Sequence, residues 1–75
     1  MTIDRGLGVP VWRQLVSIFR GRIESNEWES GRLLPSVRTL AQQYEVAELT
    51  IKKALGQLKA DGLVDSTVGR GWYVL

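Results

Sequence analysis

Lys52, Lys53 and Arg70 are the side chains of this chain best suited to chemistry, and that chemistry is the holding of an anion. The two lysines are adjacent on a segment with helical spacing, where they can meet phosphates or base edges. Arg70 stands between Gly69 and Gly71, so its flexible flanks let it reach a phosphate or a minor groove from the tip of a turn. Each has a plainer reading as well. Surface lysines are common on helices, and a lone G-R-G also describes an ordinary hairpin turn with an exposed Arg. Leu49 shares the outward face of the same helix with Lys53. It reads equally as an unremarkable surface residue or as an apolar contact to a thymine methyl or a sugar in the major groove.

Most other chemistry is closed. The sequence contains no Cys and no His, which removes the usual zinc and iron ligands, thiol and Ser-His-Asp nucleophiles, the commonest general base and any disulfide. Glu24, Glu27 and Glu29 lie close together near a helix end. Without a basic or metal partner to tune them they read as a solvated surface, so catalysis is rejected and no cofactor is expected. The formal charge of +2 says little by itself. Its distribution says more: residues 1–30 hold four basic and four acidic side chains, while residues 31–75 hold six basic and four acidic. The anion-binding surplus therefore lies in the second part.

Elements that could position these groups follow from apolar spacing. Residues 1–9 read as a loose, flexible lead-in ending at Pro10, a residue suited to a first helical turn. Trp12, Leu15, Val16, Phe19 and Ile23 then form one face of a first helix, which begins to end at Ser25-Asn26. Leu33-Leu34 before Pro35 fits a short extended piece. Ser36 can cap a second helix with Val37, Leu40, Ala41 and Tyr44 on its inner face. A third helix starts near Ala47 or Glu48, buries Ile51, Ala54, Leu55 and Leu58, and stops at Asp61 and Gly62. Leu63 to Ser66 and Trp72 to Leu75, joined by the Gly69-Arg70-Gly71 turn, make a hairpin.

That order predicts a mainly α fold with a small β-hairpin: a winged helix-turn-helix of three helices plus a wing, occupying residues 10–75. Ala41, Val46 and Ile51 sit where the helix-turn-helix needs a small crossing residue and an apolar lock. Seventy-five residues leave room for one small core. No window reaches the roughly eighteen apolar residues of a membrane span, and the first residues carry no signal-like apolar run. A cytoplasmic location away from membranes is the expectation.

The stretches Pro10-Val11-Trp12-Arg13-Gln14-Leu15, Leu34-Pro35-Ser36-Val37-Arg38-Thr39-Leu40-Ala41, Gly62-Leu63-Val64 and Gly69-Arg70-Gly71 resemble the N-terminal DNA-binding domain of GntR-family bacterial transcription regulators. The likeness runs from Pro10 to Val74, and the L-P-S-x-R-x-L-A register is its most specific part. The resemblance implies that Arg38 grips a DNA phosphate, that the start of the third helix (Ala47, Glu48, Leu49, Thr50) reads bases, and that Gly69 and Arg70 lie along the minor groove. Early in its helix, the Arg38 guanidinium could meet a phosphate together with nearby backbone N–H groups. The implied partner is double-stranded DNA in a bacterial nucleoid, bound by a pair of copies. Family members continue into a larger C-terminal domain that binds a small effector and forms the dimer; the sequence leaves open whether this chain is part of such a protein.

Two departures bear on base preference. Ala47-Glu48 replaces the family's usual hydroxyl residue and Arg. Ala47 cannot cap the helix, and Glu48 suits the helix dipole and cytosine N4 but repels phosphate. Glu45 stands where Gly is common, a strain of roughly 1 kcal/mol or more if the position is left-handed. A competing reading is a winged helix used for protein contact or self-association, motivated by Leu49, Glu48, the small charge and three Trp residues. It needs exposed aromatic anchors.

Overall fold

The computed structural model describes residues 3–6 and 8–75. It contains helix α1 (Val11–Glu24), helix α2 (Val37–Tyr44), helix α3 (Glu48–Ala60) and strands β1 (Val64–Thr67) and β2 (Gly71–Val74), in that order. Pro10, with φ −54°, precedes α1, and its carbonyl accepts the N–H groups of Arg13 and Gln14. The buried side of α1 carries Leu15, Val16, Ile18 and Phe19. Ile18 lies outside the stripe read from spacing. It flanks Leu15 by about 60° around the helix, so the apolar arc is wider than the sequence suggests.

α2 begins as its capping chemistry dictates. The Ser36 hydroxyl accepts the Thr39 N–H at 3.0 Å, and Pro35 keeps the approach extended. The helix ends at Glu45, which adopts the left-handed φ 55°, ψ 49°. The Glu45 N–H bonds to the Gln42 carbonyl and the Val46 N–H to the Ala41 carbonyl at 3.0 Å. This paired closure satisfies the last carbonyls and packs Val46 back against the helix it has just left. α3 closes the same way: Gly62 has φ 78°, and the N–H groups of Gly62 and Leu63 bond to the carbonyls of Lys59 and Leu58.

β1 and β2 pair antiparallel, with Val64 opposite Val74 and Thr67 opposite Gly71. The extended piece before α2 joins them. Leu33 bridges Tyr73, the Leu34 N–H donates to the Trp72 carbonyl at 2.8 Å, and the Val74 N–H donates to the Arg32 carbonyl at 3.0 Å. The wing is thus stitched to the entrance of α2.

Leu15, Phe19, Leu40, Ile51, Leu55, Leu58, Val64 and Val74 form the fully buried centre, drawn from every element. Trp12, Trp28 and Trp72 are half-buried and packed against it. Part of the lead-in departs from expectation. Ile3 packs on the core, the Asp4 N–H and carbonyl bond to the Gln14 side chain at 2.7 Å each, and Arg5 donates to the Glu45 carbonyl at 2.8 Å. Residues 3–5 are therefore anchored rather than loose, because α1 offers an amide and the α2–α3 turn offers a carbonyl.

Candidate nucleic-acid interface

The helix-turn-helix is α2, the tight turn Glu45-Val46-Ala47, and α3. Ala41 is buried at the crossing, Val46 is half-buried and Ile51 is fully buried, as the lock requires. This leaves one side of α3 free: Glu48, Leu49, Lys52, Lys53 and Gly56 are all exposed, and Thr50 is half-buried. Ala47 is extended at φ −68°, ψ 150°, and no side-chain hydrogen bond caps the helix. Glu48 is the acid in the first turn, where a negative side chain complements the helix dipole.

Arg38 occupies the second position of α2, exposed and with no ion pair among the described residues. Lys52 and Arg70 share that condition. Three other cations are paired, Arg20 with Asp61, Arg22 with Glu27 at 3.1 Å, and Lys59 with Asp65 at 3.3 Å, while Arg32, ahead of α2, is exposed and without an ion pair among the described residues. Three of the acids are thereby neutralised locally, and Arg38, Lys52 and Arg70 keep their charge available.

Lys53 is a special case. Its ammonium lies 4.7 Å from the centre of the Trp12 ring on α1, and the Arg13 guanidinium lies 5.6 Å from the same ring. Such a contact holds a cation over an aromatic face while leaving it in water. Nothing in the spacing of the sequence points to it, since the partners are brought together only by the packing of α1 on α3.

At the wing, the Arg70 N–H donates to the Thr67 carbonyl at 3.0 Å, closing a turn over Val68 and Gly69. Gly69 has φ 81° at the third position of that turn, where a left-handed backbone favours glycine. Val68 sits at the tip with a relative exposure of 102%. It is the feature that reasoning from sequence missed, although an apolar residue beside a glycine turn was a visible signal. The structure ties Arg38 and the wing to a shared framework through the Leu34–Trp72 hydrogen bond. The α3 face joins that framework through the tight turn after α2.

The three glutamates near the end of α1 are dispersed in their roles: Glu27 is paired with Arg22, and Glu24 and Glu29 are exposed. Asp65 accepts the Ser66 N–H at 2.8 Å and pairs with Lys59. These two contacts hold its carboxyl below the ordinary value.

Residues 12–74 match the family described as bacterial regulatory proteins, gntR family. The chain belongs to that family. Among its relatives, it is 40% identical over 89% of its length to an uncharacterised HTH-type transcriptional regulator of Bacillus subtilis, YdfD, and covers 14% of that protein. It is 30% identical over 99% of its length to the HTH-type transcriptional repressor NagR of the same organism and covers 30% of it. The chain thus spans less than a third of these relatives. Among solved structures, it resembles the GntR-family transcription factor YtrA from Sulfolobus acidocaldarius with a TM-score of 0.89 and 30% identity, covering 97% of this chain and 77% of that one. It resembles the AraR DNA-binding domain, solved in complex with operator ORX1, with a TM-score of 0.88 and 27% identity, covering 100% of this chain and 90% of that one. The winged helix-turn-helix expected from sequence is the fold observed, and the GntR resemblance is family membership.

Proposed function

We propose that this GntR domain binds operator DNA for a bacterial transcription regulator, with α3 in the major groove and the wing at the minor groove. The observation that carries the reading is its likeness, along the whole chain, to a DNA-binding domain solved on its operator. The exposed cations support it. Arg38 meets a phosphate at the start of α2, Lys52 and Lys53 serve the backbone or base edges from α3, and Gly69 and Arg70 follow the minor groove. Ala47, Glu48, Leu49 and Thr50 form the turn of α3 that enters the groove.

The domain acts by binding and not by catalysis, as a regulator in the cytoplasm and on the nucleoid. Among the described residues no helix is long and apolar enough to cross a membrane. Pairing of two copies on DNA, and response to a small effector through a further domain, belong to the same proposal. The protein-contact alternative lacks its anchors, because Trp12, Trp28 and Trp72 are half-buried against the core and none of them is exposed.

Titration against duplex DNA at two salt concentrations tests the proposal. Salt-dependent binding is expected, and its absence at micromolar protein refutes it. Arg38→Ala is expected to weaken binding on every duplex and to lower the salt slope by about 1, whereas Leu49→Ala changes the ranking of sequences. Equal losses on all duplexes for both variants refute this division of labour.

A further inference from the structure

The first turn of α3 carries two exposed side chains, of which Glu48 meets only the helix dipole and Leu49 no partner in the core. Leu49 has a relative exposure of 76%, though it is a large apolar residue. Glu48 is exposed and forms no ion pair among the described residues. Their surroundings are open: Ala47 offers only a methyl group, and Lys53, one turn beyond Leu49, is drawn onto Trp12. Gly56 lies one further turn along that face, and a Cβ placed there would meet nothing within 4 Å. Internal packing therefore explains neither the exposed leucine nor the small residues that clear the way to it.

Resting on the DNA-binding reading above, we propose that Glu48 and Leu49 are the base-reading pair, and that the operator presents a cytosine amino group to the carboxylate and a thymine methyl to the leucine. An ionised carboxylate only accepts hydrogen bonds. In the major groove guanine turns two acceptors toward it and thymine one, so both repel it; adenine offers a donor beside an acceptor; cytosine offers its N4 donor without a competing acceptor. Surrounded by phosphates, Glu48 is disfavoured at every site that lacks such a donor. It therefore acts as a device of exclusion as much as of attraction. Leu49 carries no polar group and rewards the thymine C5-methyl, the one apolar feature of the groove floor. Lys52, beside this pair and free of ion pairs, holds the phosphate backbone and sets the depth of insertion.

The test is selection of duplexes from a randomised pool by the intact chain, followed by titration of the enriched site. That site is expected to contain a cytosine and a thymine within a few base pairs. Replacing that thymine by deoxyuridine removes only the methyl and should weaken the wild type about fourfold, the ratio for burying one methyl-sized group. The same replacement should leave Leu49→Ala unchanged. Glu48→Gln should move the preferred base from cytosine to adenine, which a glutamine amide contacts through N6 and N7. Both substitutions alter exposed side chains, and an unchanged thermal midpoint separates their effect from misfolding.

Salt-dependent binding that tolerates deoxyuridine at every thymine, or a Glu48→Gln variant that selects the same site, overturns the proposal and leaves the DNA-binding reading intact. A wild type that binds no duplex even at low salt overturns that reading and this proposal together.

Discussion

Tyr44 closes α2 with its ring edge-on to Phe19, centroids 5.6 Å apart, and beneath the Arg22 guanidinium at 5.7 Å. Its hydroxyl is buried without a hydrogen-bond partner among the described residues. Burial pushes the phenol above its ordinary value of 10.0, and the Arg22 charge only partly counters this. An unsatisfied buried hydroxyl costs about 1–3 kcal/mol of desolvation. Tyr44→Phe keeps the ring contacts and removes that penalty, so it is expected to raise stability by about 1 kcal/mol, read as a higher urea midpoint. Asp65 behaves oppositely. Its native carboxyl is held below the ordinary 3.8 by the Ser66 N–H and by Lys59, so the folded state binds fewer protons than the unfolded state. Its contribution is present above that ordinary value and is lost as pH falls through the lower native one. Stability followed downward from neutral pH is expected to show this acid-side loss, and Asp65→Asn should flatten it. The group is exposed, so the effect is small.

Among the elements, α3 holds its weakest position at Gly56, an exposed mid-helix residue whose missing Cβ would meet open space. Glycine there disfavours the helix by roughly 0.8–1 kcal/mol relative to alanine. Gly56→Ala is expected to stabilise the domain by about that amount in thermal unfolding; a simultaneous loss of DNA affinity would identify the position as one of close approach to the duplex. The limits of the helices were legible because their stripes and stops coincide: Asn26, Glu45 and Gly62, each at positive φ, follow the apolar runs. The wider face of α1 was not, because Ile18 is buried by packing from neighbours and not by its place in the stripe. Leu33 and Leu34 were readable as extended, but their partners in β2 lie far along the chain and no local pattern names them. Of the site, the cations and Leu49 stood out by type and spacing. The perch of Lys53 on Trp12 could not, since only the docking of two helices creates it.

For the whole molecule, one core serves all five elements, and a domain this small holds only a few kcal/mol in reserve. Leu55 is fully buried on α3. Leu55→Ala is expected to cost about 2–5 kcal/mol, enough to leave a large unfolded fraction at ambient temperature by circular dichroism. The net charge of +2 is unchanged by the ion pairs, each of which removes one acid and one base. Ion pairs absorb acids at Glu27, Asp61 and Asp65, while Arg38, Lys52 and Arg70 stay uncommitted. Exposed pairs of this kind add little stability, so their larger effect is on the electrostatic field outside the molecule.

The backbone hydrogen bonds from residues 31–34 to β2 carry a mechanical consequence. A hairpin attached only through its two ends would swing, and each encounter would have to freeze that swing. Here the strand base and the start of α2 are cross-braced, and only Val68, Gly69 and Arg70 lie beyond the last ladder pair. A force applied at the tip is transmitted to Ser36 and Arg38 instead of being absorbed by a hinge. Two groups far apart in the sequence, Arg38 and the wing turn, consequently share one braced frame.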